Sequence, residues 1–173
     1  MKLTLQGLDK SFANIDKLAK ETRVEIQGEL DAFGDDVEQE AKQLVASNSS
    51  DEGALLRSIH RVSGNLEVSI VASIEHAAWI EFGTRKFAAA YVNSLPQDWQ
   101  TYAQQFRGSG TGSYQDFMQR LLGWMKRKGI EESAAYPIAR KILRDGIRQR
   151  PFLYPAFTDN IPKLKERLKQ VIK

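Results

Sequence analysis

The chain contains no cysteine, two histidines and no long apolar run. Without cysteine it can build no disulfide, no zinc–thiolate centre and no thiol nucleophile, and it suits a reducing folding compartment. The two histidines, His60 and His76, stand apart, and no Asp, Glu or His lies around them at metal-ligand spacing. No apolar stretch approaches the roughly 18 residues that a spanning helix needs. The start, Met1 to Gly7, lacks the apolar centre of a secretory leader. The glycine-rich run Gly108 to Gly112 lacks the Lys-Ser/Thr pair of a phosphate loop, and no Gly-x-Ser-x-Gly elbow occurs. The acidic doublets Asp35-Asp36 and Glu131-Glu132 are adjacent, so neither pair shares a helix face. The expectation is an intracellular, soluble protein without catalytic centre, metal or cofactor, and with no membrane partner.

What the chain does have is length and charge. Its 173 residues, 42% hydrophobic and 27% charged, are enough for one domain with its own core. The net charge of +3 conceals a division. Residues 1–52 carry 6 Lys and Arg against 12 Asp and Glu, a net −6, and residues 53–173 carry 19 against 10, a net +9. Such a split can orient subunits head to tail or turn a basic face toward nucleic acid; it equally describes two solvated helices of opposite sign.

Leu8, Phe12, Ile15, Ala19, Ile26, Leu30, Phe33, Val37, Ala41 and Leu44 follow strides of three and four, with one of seven, and predict an amphipathic helix over Ser11 to Val45 capped by Asp9. Gly28 and Gly34 weaken it by about 1 kcal/mol each relative to Ala. Either the helix breaks at Gly34 and restarts at Asp35 or it runs through, and the unbroken form is preferred. The arms Leu55 to Val62 and Leu66 to Ser73, around Ser63-Gly64-Asn65, predict a hairpin with Gly64 at positive φ. A short helix or corner over Ile74 to Phe82 should stop at Gly83. Phe87 to Gln105 is ambiguous. Arg107 to Ser113 reads as a flexible loop, Ser113 as the cap of a helix reaching Lys128, and Pro137 as the first turn of another that Gly146 closes. Arg150 to Phe157, with two prolines and three aromatics, predicts an extended packed connector, followed by a basic helix over about Pro162 to Ile172 with Leu164, Leu168 and Val171 inward.

Three groups could carry function. Lys126, Arg127, Lys128, Arg140, Lys141 and Arg144 form the best candidate for facing DNA, although helix ends attract cations anyway. Trp79, Trp99 and Trp124, with the aromatic-rich segment from Tyr136 to Phe157, are interface anchors or core. Glu81 and Arg85 could form a local or intersubunit ion pair worth about 0–1 kcal/mol if exposed.

Four blocks occur in an order that resembles the Hong Kong-type phage tail-component family (minor tail protein Z-like), the neck or tail-completion proteins of long-tailed phages. Gly7-Leu8-Asp9 leads into a long charged helix, and Gly53-Ala54-Leu55-Leu56-Arg57-Ser58-Ile59 resembles that family's turn and strand. Ala77-Ala78-Trp79-Ile80-Glu81-Phe82-Gly83-Thr84-Arg85 resembles its aromatic-x-Glu-Phe-Gly-Thr signature, with Trp79 and Ile80 in place of the usual Tyr and Val. Arg150-Pro151-Phe152-Leu153-Tyr154-Pro155-Ala156-Phe157 is similar to its closing motif. Trp79, Glu81, Phe82, Gly83, Arg85, Trp124, Pro151, Phe152, Pro155 and Phe157 are the candidate interface or framework residues.

The reading is an α+β single domain over 1–173: a long N-terminal helix packed on a small antiparallel sheet, a helical insertion and a C-terminal helix. The core would be about 1–86 and 147–173, with the insertion at 87–146. The resemblance implies a virion protein assembled in the host cytoplasm and located at the head–tail neck. It would form a homo-oligomeric, sixfold ring that meets tail terminator or tail tube proteins and head-closure or connector proteins, with genomic DNA passing through the lumen. The alternative is a basic DNA-binding accessory protein of a phage or prophage. A nuclease would need clustered carboxylates or histidines, which the sequence does not supply.

Overall fold

The computed structural model of the chain describes residues 8–48, 53–74, 76–106 and 112–171. The expected loop at 107–111 and the turn at 49–52 lie outside the described residues, as do the side chains of Leu8, Phe12 and Ile15. The fold is α+β. Helix α1 (Leu8–Asn48) runs unbroken for about 60 Å at 1.5 Å per residue. It begins a residue before Asp9, which therefore sits in the first turn and not at the cap position. Gly34 does not break it. A Cβ there would lie 2.5 Å from Val68 Cγ2 and 2.6 Å from Arg61 Cδ, so the bare backbone is what lets the hairpin lie down on the helix.

Among the described side chains of the apolar stripe, those of the carboxyl-terminal part are the well-covered ones. Phe33, Val37, Ala41 and Val45 are buried with Leu55, Ile59, Ala77, Phe152 and Ala156. The part at 17–25 stands almost bare, with Leu18 64% and Val24 73% exposed.

The expected hairpin is shorter than its sequence arms. Leu55 to Ser58 belong to a helical turn, α2 (Ala54–Ser58), which Arg57 N–H closes on the Gly53 carbonyl at 3.0 Å. Strands β1 (Ile59–Ser63) and β2 (Val68–Ala72) pair antiparallel, Ser63 opposite Val68 and Ile59 opposite Ala72. Gly64 N–H donates to the Glu67 carbonyl at 2.9 Å, and the residue with positive φ in the turn is Leu66, not Gly64. Among the described residues these are the two strands of one sheet.

Then follow α3 (Ala77–Phe82), α4 (Arg85–Val92), α5 (Gln97–Gln104), α6 (Tyr114–Arg127) and α7 (Ala135–Asp145). Ser113 caps α6 as expected, and its exchange with Asp116 is reciprocal: Asp116 N–H donates to Ser113 Oγ and Ser113 N–H to Asp116 Oδ2, both at 3.1 Å. Helices α6 and α7 pack as a helical hairpin around Leu121, Met125, Ala135 and Ala139.

The segment expected as an extended connector is mostly helix. Helix α8 (Leu153–Val171) starts nine residues before the predicted Pro162. Pro155 lies in its first turn, where a missing N–H costs nothing, and Pro162 is accommodated on the exposed side. Helix α8 lies along α1 and neutralises part of its acidity. Arg167 meets Asp36 at 2.8 Å, and buried Asn160 donates to Glu40 at 2.7 Å while accepting from Lys163 at 2.8 Å. The opposed halves of the charge pattern thus meet in part within one chain. Among the described residues no helix is long and apolar enough to cross a membrane.

Candidate functional site

Two motifs separated by more than sixty residues in sequence meet at one junction. Helix α3 ends at Gly83, which has φ 75° and whose N–H returns to the Trp79 carbonyl at 2.9 Å. The preceding Glu81 is 2% exposed. Its Oε2 accepts the Phe152 and Leu153 N–H groups at 2.7 and 2.9 Å, and its Oε1 accepts that of Tyr154 at 3.0 Å. These are the donors that the start of α8 cannot satisfy internally, so Glu81 caps that helix from a distant point in the chain. Burial pushes its carboxyl above the ordinary range, against the pull of the three donors.

The possible local Glu81–Arg85 pair is therefore not formed. Glu81 is buried with its oxygens taken by backbone donors, whereas Arg85 is exposed at the start of α4 with φ 53°. Sequence spacing alone could not separate a carboxylate aimed at solvent from one turned under a helix.

The chain leaves this junction after Gly83 and returns to it at Gly146. Thr84 N–H donates to the Ile147 carbonyl at 2.9 Å, Ile147 N–H to Thr84 Oγ1 at 2.7 Å, and Arg150 N–H to the Ile80 carbonyl at 2.7 Å. A Cβ on Gly83 would meet Gln149 N and Ile147 O at 2.9 Å, and one on Gly146, at φ 92°, would run into the Thr84 carbonyl. The crossing needs glycine on both strands of chain.

Asp145 adds an ionic clasp that sequence reasoning missed. Lys86 Nζ lies 2.9 Å from its Oδ1 and Arg144 Nε 3.0 Å from the same atom. Hydrogen bonds from Arg144 and Lys86 hold its carboxyl far below the usual range. A signal was there: an acid in the last turn of a helix opposes the macrodipole and needs cations beside it.

The other candidates divide between framework and surface. Phe82 is buried among Trp99, Tyr102 and Phe106, with ring centroids 6.2–6.3 Å away. Phe152 is fully buried, Pro151 and Pro155 are half-buried, and Trp124 packs half-buried on the α6–α7 cluster. Phe157 is 38% exposed and meets Phe33 edge-on at 5.6 Å. Trp79 is half-buried and lines a cleft of about 750 Å³ with Phe82, Ala88, Phe106, Phe117 and Ile142.

A second groove, of about 370 Å³, runs between β2 and α5, walled by Val68, Ile70, Trp99, Tyr102, Leu153 and Phe157. Another of about 370 Å³ continues it past Ala72, Ala77 and Phe106 and shares Ile70, Trp99, Tyr102 and Leu153. Trp99, read from the sequence as an interface anchor or core, and Tyr102, from a segment that reads as ambiguous, thus line both of these apolar grooves.

Lys126, Arg127 and Lys128 are exposed at the end of α6, and Arg140, Lys141 and Arg144 are exposed along α7. Arg144 is engaged with Asp145, so the six do not act as one free basic patch. Exposed His60 and half-buried His76 stay in separate elements, and among the described residues no three His, Asp or Glu side chains are grouped to hold a metal. The geometry supports docking and framework roles.

Residues 9–83 match the family model HK97-gp10-like, described as "Bacteriophage HK97-gp10, putative tail-component". The matched stretch takes in α1, the hairpin and α3, and ends at Gly83. No curated protein and no solved structure matches the chain.

Proposed function

We propose that this chain, whose residues 9–83 match the HK97-gp10-like phage tail-component family model, is a virion protein that completes the tail or joins head to tail at the neck. It acts without catalysis, by assembling into a ring around the DNA channel and docking on tail and head-closure proteins. The observation that carries this reading is the family match over the long helix, hairpin and α3. The exposed aromatics of the β2–α5 groove and the bare stretch of α1 at residues 17–25 supply surfaces suited to assembly. Residues 87–146 serve as an insertion that leaves and rejoins the core at one clasped crossing, and its helical hairpin provides contacts specific to a partner.

The test is a phage carrying a nonsense allele of this protein, viewed by electron microscopy. Filled heads and separate tails that fail to join, rescued by supplying the protein, are the expected result. Normal virions from the mutant would overturn the reading. Because α4 and α5 cover Phe82 and Tyr154, the insertion is better probed by reversing surface charges on α6 and α7 than by excision.

A second reading, a DNA-binding accessory protein, is favoured by exposed Lys126, Arg140 and Lys141. Titrating duplex DNA at two salt concentrations separates the two: tight binding by the isolated protein that collapses with salt supports the accessory role.

A further inference from the structure

The sheet has an unused edge. The bonds Gly64 N–H to Glu67 O and Ser73 N–H to Ser58 O bracket the ladder, so β2 bonds to β1 through residues 69 and 71. The N–H and C=O groups of Val68, Ile70 and Ala72 therefore point away from β1. Among the described residues nothing meets them. The outer flank of this edge opens on the apolar groove walled by Trp99, Tyr102, Leu153 and Phe157. An exposed edge beside an apolar groove is the arrangement that takes up an added strand, with main-chain bonds to the edge and alternate side chains in the groove.

The chain carries a segment of the right length and pattern. Lys2-Leu3-Thr4-Leu5-Gln6 has five residues, as β2 has, and places Leu3 and Leu5 on one face with Lys2, Thr4 and Gln6 on the other. It lies outside the described residues and joins α1 at Leu8. It cannot reach the edge of its own copy. The near end of β2 rests at Gly34, about 39 Å along α1 from Leu8 at 1.5 Å per residue, whereas seven extended residues span at most about 25 Å. Residues 17–25 of α1, with Leu18 and Val24 exposed, are almost bare.

We propose that residues 2–6 add as a third strand to the β2 edge of a second copy of this chain, Leu3 and Leu5 entering the neighbour's Trp99–Phe157 groove, with the amino-terminal part of α1 as the connecting arm. Passed from copy to copy, this contact is head to tail, the kind that closes into a ring. It rests on the ring reading above and names the surface that joins the subunits.

The natural absence of cysteine makes the test direct. Thr4→Cys in one tagged full-length chain is mixed with Ser69→Cys or Val71→Cys in a differently tagged one and mildly oxidised. Thr4 would stand on the same sheet face as Ser69 and Val71, and the two acceptors cover both registers. Mixed disulfide dimers are expected, and deleting residues 2–6 should weaken self-association at least about tenfold with circular dichroism unchanged. Three results overturn the inference. Pairs placed in one chain could close internally on a monomer, association could survive the deletion without any cross-link, or the protein could stay monomeric at every concentration. The second would leave ring assembly standing on another surface. The nonsense-allele experiment judges the tail reading independently of all three.

Discussion

Removing the Glu81 carboxylate should loosen α8 from the rest of the fold. Its two oxygens accept three backbone N–H groups at 2.7, 2.9 and 3.0 Å in a nearly closed site. Glu81→Gln keeps the shape, but only one of its two terminal atoms can accept. Placed at the Oε2 position, the amide oxygen retains Phe152 and Leu153 and turns an NH₂ group toward the Tyr154 N–H. One charge-assisted bond is lost, about 2 kcal/mol. Glu81→Ala strands all three donors and leaves a void, about 4 kcal/mol. At about 2–4 °C per kcal/mol for a chain of this size, the melting temperature falls by roughly 4–8 °C for Gln and 8–16 °C for Ala.

Urea unfolding, with the slope checked for constancy, measures the same quantities. Both variants within about 0.5 kcal/mol of the parent would refute the capping argument. The pH dependence adds a sign. Burial raises the folded carboxyl above its unfolded value, so between the two values the folded chain binds the proton more tightly. The parent should then lose stability relative to Glu81→Gln as pH rises through that window. The opposite slope would show that the three donors outweigh burial.

The glycines of α1 give a matched pair. Gly28→Ala meets nothing within 4 Å and should stabilise by roughly 0.5–1 kcal/mol, whereas Gly34→Ala must displace Val68 and Arg61 and should destabilise by about 1–2 kcal/mol, both read by urea unfolding. Gly146→Ala forces a side chain into the Thr84 carbonyl at φ 92° and should cost more than about 3 kcal/mol, seen as a large drop in melting temperature or loss of soluble protein. Asp145→Asn should weaken the clasp at neutral pH. Since the folded Asp145 carboxyl is depressed, the parent's advantage is full above the unfolded value near 3.8 and disappears as pH falls below it, so unfolding curves of the two proteins should converge in acid.

Much of the framework was legible before any coordinates. The three–four stride of α1, the alternation of Val68, Ile70 and Ala72, the Ser113 cap and the stops at Gly83 and Gly146 act within a few residues, and all appear in the fold. The errors have physical causes. Two prolines near Phe152 look like an extended stretch until one sees that Pro155 occupies a first turn. Leu55 to Ser58 alternate too weakly to separate a helical turn from a strand. Gly64 drew attention by its residue type, but the turn places its positive φ at Leu66.

The sequence by itself therefore determined the long helix, the hairpin, α6 and α7 and the stops at Gly83 and Gly146, because period, caps and glycine stops are local interactions, but not α2, α4, α5 or the start of α8. It also carried the resemblance over about 1–86 and 147–173, which is order and spacing along the chain, and the family model matches the part at 9–83. Only the tertiary structure decided what the separated blocks do to one another. A carboxylate in α3 becomes the cap of α8, Gly34 becomes a seat for the hairpin, and Asp145 closes the crossing with Lys86. Each depends on a partner far away in the chain, and a one-dimensional pattern cannot say which buried polar group will find which donor, or which strand edge and groove will be left open.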